Sequence, residues 1–317
     1  MTKDRTWKNV SAHRGKIVRM THSTASNLEA FESHRAMLVA HAYRMLGDLG
    51  RAEDMVQEAW LRWDGRQVEV DSPRAYLVTL VTRLCFNELD SAKTRREDNR
   101  GDRLPEPVDL DERGIGRVEL LDQVSMAFLV VLQRLTPAER AVLLLRDVFD
   151  FDYKEIAALV GKSEPACRKL LERARRNVAA EKRLFSASPE AHRRLLSAFT
   201  QAASAGDLQA LVAMLAEDAV LITDGGPEGR RVAGIRNLQA PLKGAARIAA
   251  FISATARSSD LETEVHELNG QPALVFYDKD GRFAALLLAV ADDRIHRVFF
   301  HADLGRLRYL GPRRGLS

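Results

Sequence analysis

Several residue types are scarce in this chain of 317 residues, and each scarcity excludes a class of protein. Two cysteines, Cys85 and Cys167, are too few for a disulfide framework or a zinc site, so we expect buried thiols in a reducing compartment. Aromatic residues make up only 6% of the chain, which disfavours a large base-stacking surface. No apolar run reaches the ~18 residues of a membrane span, and residues 1–27 lack the apolar core of a signal peptide. We therefore expect a cytoplasmic protein that binds no membrane.

Charge is nearly balanced in total but uneven along the chain. The 48 Lys and Arg residues oppose 44 Asp and Glu residues, a formal net charge of +4. Residues 97–122 contain nine acidic and four basic residues, or −5, whereas residues 162–183 contain eight basic and three acidic residues, or +5. The hydrophobic fraction of 46% excludes wholesale disorder, and the length indicates two or three domains.

Hydrophobic periodicity predicts two helical domains followed by an α+β domain. The predicted segments are a disordered extension at 1–27, a helical domain at 28–96, an acidic linker with Pro and Gly at 97–122, a second helical domain at 123–185, and the α+β domain at 186–317. In the last segment, helices Pro189–Ser204 and Asp207–Ala216 precede five strand-like runs, at 219–223, 263–268, 273–277, 282–291 and 294–301. Asp-Gly and Asn-Gly pairs at 224–225, 269–270 and 280–281 predict hairpins, and hence a curved antiparallel sheet.

The strongest local pattern is a helix-turn-helix at 153–172. Gly161 suits a turn that needs a positive φ, and Ser163 suits the N-cap of the second helix. That helix is basic, as suits insertion into the major groove of DNA, where Arg and Lys read guanine edges or neutralise phosphates. An ordinary helical hairpin with a solvated basic face is the alternative.

The first helical domain contains an acidic helix between Asp48 and Arg62, with four acidic residues against two basic ones. Its outer face suits a basic partner, but composition alone favours a merely solvated face. A second pattern, Thr136 before Pro137 with Glu139 following, predicts a helix N-terminus with a capping box in the second helical domain.

Both helical domains resemble those of the extracytoplasmic-function (ECF) sigma factors, bacterial promoter-specificity factors that carry no enzymatic activity and no cofactor. The first domain carries the resemblance at Phe31–Arg35, Ala42–Gly47, Ala52–Leu61 and Ser72–Cys85, and the second carries it at Leu135–Arg146 and the helix-turn-helix. The resemblance covers residues 28–180. The order of the two blocks and the linker between them are more specific than either block alone.

The resemblance implies three sets of site residues. The acidic helix would dock on the clamp helices of the largest subunit of RNA polymerase through Asp48, Arg51, Glu53, Asp54, Gln57, Glu58, Trp60 and Leu61. The next helix would bind and open the −10 promoter element through Arg74, Arg83, Asn87, Lys93, Arg95 and Arg96. The helix-turn-helix would read the −35 element through Lys162, Ser163, Glu164, Arg168, Lys169, Arg173 and Arg176.

The last domain resembles the SnoaL-like cone fold, and this combination resembles the SigJ-type subgroup of ECF sigma factors. The linker at Gly101–Pro107 is similar to that subgroup's Pro-rich motif, with Arg103 in the position of a Trp. Asp224–Gly226 resembles the start of its Asp-Gly-rich loop, and His301-Ala-Asp303 replaces an Asn-Pro-Asp motif. The regulatory residues implied are Leu104, Pro105, Glu106, Pro107, Asp224, Gly225 and Gly226.

The leading hypothesis is therefore a sigma factor that its own C-terminal domain regulates in cis. The acidic linker is either a solvated spacer or a segment that mimics the charge of DNA. One rival is a helix-turn-helix regulator that senses a small ligand through the SnoaL-like domain without core polymerase. Another is a SnoaL-type enzyme with acid–base groups among Asp224, His266, Tyr277, His296, His301 and Asp303. No metal site is expected.

Overall fold

The computed structural model describes residues 24–66, 70–94, 103–109, 125–185, 187–226, 231–232, 235–236, 238, 240–256, 261–279 and 281–310. The helices are α1 Thr24–Leu46, α2 Leu49–Asp64, α3 Pro73–Thr94, α4 Met126–Arg134, α5 Pro137–Asp147, α6 Tyr153–Val160, α7 Glu164–Glu181, α8 Pro189–Ala205, α9 Leu208–Met214 and α10 Ala245–Ala256. The strands are β1 Leu215–Asp224, β2 Arg231–Val232, β3 Ile235–Arg236, β4 Leu242–Lys243, β5 Glu262–Leu268, β6 Gln271–Asp278, β7 Gly281–Ala291 and β8 Arg294–His301. Within these residues, no helix combines the length and the apolarity that a membrane span requires.

Helix ends follow the local signals of the sequence. Thr136 and Glu139 form the predicted capping box on α5. Gly161 ends α6 with φ +66°, and the Ser163 side chain accepts from the Ala166 amide at the start of α7. Both cysteines are buried free thiols, as expected. At the N-terminus, α1 begins at Thr24, so residues 24–27 of the predicted extension belong to a helix.

The two helical domains pack against each other and share one apolar core. The Arg140 guanidinium on α5 is buried, donates to the carbonyl oxygen of Met45 at the end of α1, and lies 2.9 Å from Gln133 Oε1. The His41 ring on α1 meets the Phe149 ring edge to face, with centroids 4.8 Å apart. Sequence periodicity treats these domains as separate, because it carries no information on which helical faces meet.

The C-terminal domain holds a six-stranded sheet in the order β4-β1-β8-β7-β6-β5. The predicted antiparallel pairing holds for four of its pairs, but β1 and β8 run parallel. The prediction of an antiparallel sheet is therefore wrong for the β1–β8 pair, and the sheet is mixed. Most of the domain separates β1 from β8, which leaves room for the long crossover that parallel neighbours need.

Only some of the predicted turns join hairpins. Asn269 and Gly270, with φ +53° and +66°, make the tight turn between β5 and β6. Asp224 instead ends β1 without a hairpin, while the turn between β7 and β8 uses Asp292 and Asp293, both at positive φ. Asp280 lies outside the described residues. Two further differences are that α9 ends at Met214, before the predicted Ala216, and that α10 has no counterpart in the sequence-based assignment.

The described part of the linker, residues 103–109, is docked and not solvated. Apart from the exposed Arg103, all of these residues are buried, and Asp109 forms an isolated bridge with Leu268 of β5. The spacer interpretation is therefore wrong for residues 104–109. The remaining acidic positions of the linker, among them Asp98, Asp102 and Asp111, lie outside the described residues.

The sheet has two buried faces with different neighbours. One face packs on α8, α9 and α10 around an apolar core that includes Leu274 and Leu286. The other face packs on Leu104 of the linker, Met126 of α4 and Leu184 after α7. The C-terminal domain is thus joined to the linker and the second helical domain through one face of its sheet.

Candidate interaction surfaces and the linker site

The candidate polymerase-contacting residues divide into exposed and structural groups. Arg51, Asp54, Gln57 and Leu61 are exposed on α2, and Leu61 is 62% exposed despite being apolar. The others are partly buried. Asp48 caps α2 by accepting from the Arg51 amide at 2.9 Å, Glu58 pairs with Arg62 at 2.9 Å, Trp60 packs edge to face on Phe31, and Glu53 is half-buried.

The candidate −10 residues do not share one face of α3. Arg74 is exposed and lies over the Phe149 ring of the second helical domain, 5.5 Å from its centroid. Arg83 is half-buried and Asn87 is exposed. At about 100° per residue, Arg74 and Arg83 point in opposite directions. Lys93 lies within α3 with its side chain outside the described residues, and Arg95 and Arg96 lie outside the described residues altogether.

The candidate −35 residues lie on and beside α7, and their arginines already hold intramolecular partners. Arg168 pairs with Glu164 at 3.1 Å, Arg173 with Glu139 at 3.0 Å, and Arg176 with Glu172 at 2.7 Å. Lys162 and Lys169 are exposed. The Arg168 and Arg176 pairs are exposed on both sides, so exchanging their carboxylate for a phosphate costs little, whereas the Glu139 partner of Arg173 is only 9% exposed.

The linker and the C-terminal loop meet at Asp224. Its Oδ2 atom accepts from the Leu104 amide at 3.1 Å, and its Oδ1 atom accepts from the Gly226 amide at 3.1 Å. Arg306 donates to the Leu104 carbonyl oxygen and lies 4.0 Å from Asp224. Gly226 has φ +75°, and a Cβ atom there would lie 2.8 Å from Asp303. The two motifs that the resemblance singled out are therefore in direct contact, although their regulatory role stays a prediction.

Glu106 anchors the linker to the first helical domain. Its amide donates to the Gly47 carbonyl oxygen at 2.9 Å, and its Oε2 atom accepts from the Leu49 amide, at the start of α2, at 2.6 Å. The residue is 1% exposed. Burial, followed by the nearby Asp48 carboxylate, raises the pKa of Glu106 to about 7. Protonation of this carboxyl therefore accompanies docking near neutral pH.

Asn269 ties the C-terminal sheet, the linker and the first helical domain together. Its backbone amide donates to the Val108 carbonyl oxygen at 2.9 Å, and its Oδ1 atom accepts from the Val108 amide at 3.2 Å. Its Nδ2 atom donates to the Tyr43 hydroxyl at 2.8 Å, and that hydroxyl donates to the Glu106 carbonyl oxygen. Sequence reasoning places Asn269 in a turn and Tyr43 in the Ala42–Gly47 motif without linking them, because no local signal marks contacts across 226 positions.

A C-terminal segment covers the start of α2. Arg308 lies 3.6 Å from Asp48 and 3.5 Å from Glu106, and Tyr309 packs against the core of the helical domains. A Cβ atom on Gly50 would lie 2.6 Å from the Tyr309 hydroxyl oxygen, so a larger residue there would displace the ends of the Arg308 and Tyr309 side chains. The segment was not identified from the sequence. It reaches the helix that carries the candidate polymerase-contacting residues.

The acid–base groups of the enzyme hypothesis lie outside the lining of the cavity in the C-terminal domain. A cavity of about 260 Å³ lies in the C-terminal domain, and none of the six candidates is among its lining residues. His266 instead lies 3.0 Å from the Tyr277 hydroxyl and 3.8 Å from Asp109 of the linker, while Asp224 binds Leu104. Burial and the nearby Arg306 lower the pKa of His301 to about 3, so this ring is neutral at physiological pH. Within the described residues, no group of three His, Cys, Asp or Glu side chains is placed to hold a metal ion.

Two family models match the chain, one in each helical domain. The model of sigma-70 region 2 matches residues 30–95, and the model of sigma-70, region 4 matches residues 125–178. The first match contains the candidate polymerase and −10 residues up to Arg95. The second contains the helix-turn-helix and all of the candidate −35 residues.

Curated relatives extend the similarity. The chain is 41% identical over 198 residues to the ECF RNA polymerase sigma factor SigJ of Mycobacterium tuberculosis. The aligned region covers 61% of this chain and 64% of that relative. It is 30% identical over 312 residues to the ECF RNA polymerase sigma factor SigG of the same organism. This aligned region covers 86% of this chain and 80% of that relative. The chain therefore spans slightly less than two thirds of SigJ and most of SigG.

The fold is similar over nearly the whole chain to a solved structure. The crystal structure of Mycobacterium tuberculosis SigJ matches with a TM-score of 0.67 at 27% identity, covering 90% of this chain and all of that chain. The C-terminal domain is thus included in the structural match. Two helical domains and a sheet-containing domain, in the same order, are common to both proteins.

Proposed function

The chain belongs to the extracytoplasmic-function sigma factors, and from that membership we propose that it binds core RNA polymerase and directs promoter-specific initiation of transcription. The observation that carries the proposal is the presence of both sigma-70 regions in one chain, each with its candidate contact helix at the surface. The chain itself performs no covalent chemistry in this proposal. It supplies affinity for the polymerase and for promoter DNA.

The surface proposed for core polymerase is the exposed face of α2, formed by Asp54, Gln57 and Leu61. An acidic residue and an exposed leucine on one helix suit a partner surface that is basic with an apolar centre. Trp60 supports this face from below through its contact with Phe31. We assign the clamp helices of the largest subunit as that partner, as the family resemblance implies.

Replacing Leu61 by Ser tests this surface. We expect at least a tenfold loss of affinity for purified core polymerase, since central apolar anchors carry about 2 kcal/mol or more in such interfaces. Leu208→Ser is the matched control, because Leu208 is 44% exposed in the C-terminal domain, away from α2. Equal core affinity of the two variants, measured by fluorescence anisotropy, would refute the assignment of α2.

The proposed DNA contacts require the two helical domains to separate. Elements at −10 and −35 lie about 25 base pairs apart, or roughly 85 Å along B-DNA at about 3.4 Å per step. In the structure, the two domains are in contact through Arg140, His41 and Phe149. A chain in this arrangement cannot place α3 and α7 on both elements at once.

We propose that the C-terminal domain opposes this separation. Its sheet holds the linker through Asp224 and Asn269, and Arg308 reaches the start of α2. Core polymerase must therefore compete with these contacts, and the coupling is reciprocal: whatever stabilises docking weakens core binding. Since Glu106 and Asp109 are buried in the docked linker, their charge does not contribute to mimicry of DNA in this state.

Run-off transcription with core polymerase on genomic fragments tests the proposal as a whole. Promoter-dependent transcripts from the full chain, enhanced when docking is weakened by a point variant, are the expected result. Removal of residues 187–317 is a less specific test than a point variant, because it would also expose the apolar side chains of Leu104, Met126 and Leu184. No transcript with either form of the chain would refute the sigma-factor function.

The rival functions receive less support. The hypothesis of a helix-turn-helix regulator that acts without core polymerase does not explain the match of residues 30–95 to sigma-70 region 2. The SnoaL-type enzyme lacks its acid–base groups at the cavity. A small-molecule ligand in the C-terminal domain remains part of our proposal, as a regulator of docking.

A further inference from the structure

The cavity of the C-terminal domain is an apolar chamber between the sheet and two of its helices. Helices α8 and α10 contribute Phe199 and Phe251, and the sheet contributes Leu274, Leu286 and Phe300. Its volume is about 260 Å³. An engineered apolar cavity of about 150 Å³ holds a benzene molecule, so this one has room for roughly two fused rings or a ring with a short chain.

The lining selects against charge. Among the described residues that line the cavity, none is charged. An ionised carboxylate or ammonium placed there would lose its hydration without gaining a counter-ion from these lining residues, a cost of several kcal/mol or more. The chamber is therefore chemically matched to a neutral molecule.

Hydroxyl groups supply the polar contacts of the chamber. The Thr200 hydroxyl donates to the Leu196 carbonyl oxygen at 2.8 Å, and the Thr255 hydroxyl donates to the carbonyl oxygens of Phe251 and Ile252 at 3.0 and 2.9 Å. Because the Thr200 and Thr255 hydroxyls already use their hydrogens, their oxygens are suited to accept from a ligand, and the hydroxyl-bearing Ser204 and Thr263 also line the chamber. This favours a ligand with one O–H or N–H donor on an otherwise apolar body.

We propose that this cavity binds an uncharged, mainly aromatic or hydrocarbon molecule bearing a single hydrogen-bond donor, and that its occupancy stabilises the docked linker on the other face of the sheet. The site belongs to the folded chain itself, whereas its regulatory meaning rests on the proposed sigma-factor function. The ligand would act against core binding, because it favours the compact arrangement.

The coupling follows from the alternation of side chains along the strands. On β8, Phe300 lines the cavity and the next residue, His301, is buried on the linker face. On β1, Leu221 lines the cavity, while Asp224, three residues later, is the acceptor for the Leu104 amide. The register pairs Asp224 with His301, so the backbone that positions this acceptor is shared with the cavity wall. A ligand that fits the cavity only in the docked arrangement must stabilise that arrangement.

The binding test uses two probes of similar shape and different charge. We expect 1-naphthol to bind the full chain in calorimetry, and 1-naphthoate to bind at least tenfold more weakly, although the chain carries a net charge of +4. Ser204→Trp places a large ring at an exposed lining position and should weaken 1-naphthol at least tenfold. Ser197→Trp, on the exposed side of the same helix and away from the cavity, is the matched control and should leave binding unchanged.

Three results would overturn the binding site: no binding of 1-naphthol, equal binding of 1-naphthoate, or unaltered binding in Ser204→Trp. The measurement needs no polymerase, so its outcome is independent of whether the chain acts as a sigma factor. Circular dichroism of both Trp variants confirms that each retains its fold.

Hydrogen exchange of the linker tests the coupling. The amides of Leu104, Glu106 and Val108 are bonded to Asp224, Gly47 and Asn269, so their exchange reports undocking. At a probe concentration of ten times Kd, exclusive binding to the docked form slows exchange about tenfold. We expect this slowing in the unaltered chain and in Ser197→Trp but not in Ser204→Trp. Binding without a change in linker exchange would overturn the coupling.

Discussion

The two faces of the C-terminal sheet bury opposite kinds of side chain. The cavity face presents Leu274, Leu286 and Phe300, and none of the described residues that line the space in front of it is charged. The linker face and its edge bury Asp224, His266, Asn269, Gln271 and His301. Because a buried polar group is costly unless it is hydrogen-bonded, the polar face demands a particular partner, whereas the apolar face demands only volume.

This difference explains how one small domain can combine regulation with ligand binding. Asn269 and Asp224 find their partners in the linker, and Gln271 finds one in the Met126 amide of α4. Each of these bonds crosses between segments of the chain, so the three side chains keep these partners only when the chain is compact. We therefore expect a substitution on the polar linker face to open the chain more than a substitution that changes side-chain volume by the same amount on the cavity face.

The largest effect is expected from Asn269→Gly. Glycine accepts the φ of +53° at this turn, so the variant removes only the side-chain bonds to Val108 and Tyr43. The Val108 amide is left unsatisfied and the bond to the Tyr43 hydroxyl is lost, which together weaken docking by about 2 to 4 kcal/mol. We expect a larger radius of gyration in small-angle X-ray scattering and a matching gain in affinity for core polymerase.

Asp292→Gly is the control for that change. Asp292 also has a positive φ, +49°, but lies in the exposed turn between β7 and β8. Its pair with Arg183 is long, at 3.9 Å, and exposed on both sides, so its loss should leave both the radius of gyration and core affinity nearly unaltered. Equal behaviour of the two glycine variants would show that the Asn269 side chain does not hold the domains together.

A smaller effect is expected from pH, through Glu106. Its pKa is raised from 4.5 to about 7 in the docked state, so docking is fully favoured at low pH and weakens as the pH rises through this window. We expect the docking equilibrium, followed by exchange of the linker amides, to weaken on the order of tenfold between pH 5.5 and 7.5, and to level off above. Exchange rates are corrected for the intrinsic effect of pH.

Glu106→Gln should remove this dependence, because the amide does not titrate. Glu267→Gln, at an exposed position on β5, should retain it. A pH response that persists in Glu106→Gln would assign the titration to another group.

Features set by nearby residues were the ones that the sequence predicted well. The Thr136–Glu139 capping box, the Gly161 turn and the Ser163 cap each depend on residues within one helical turn, and all are present. The strand at 294–301 was predicted with its observed bounds, since apolar and polar residues identify a strand locally. The sigma-70 regions were recognisable for the same reason.

Features that depend on distant partners were missed. Helix α10, which closes the cavity, has an alanine-rich sequence without a strong start signal, and parallel pairing of β1 with β8 leaves no local trace. The acidic linker was interpreted from its charge, yet Glu106 and Asp109 are buried because distant groups surround them. Site geometry of this kind arises from tertiary contacts that periodicity does not encode.

The smallest effect is expected from Arg308→Ala, which sharpens the comparison at the border of the polar face. Arg308 is 51% exposed, and its bridges to Asp48 and Glu106 are long, at 3.6 and 3.5 Å. Solvent screening limits such a pair to about 1 kcal/mol or less, so docking should weaken by less than about fivefold and the change should vanish at high salt.

Arg306→Ala is the matched contrast, since Arg306 is 14% exposed and donates to the Leu104 carbonyl oxygen beside Asp224. Its larger effect should persist at high salt, because a buried bond is screened far less. If Arg308→Ala proved the more damaging variant in linker exchange, burial would not be what makes the polar face sensitive.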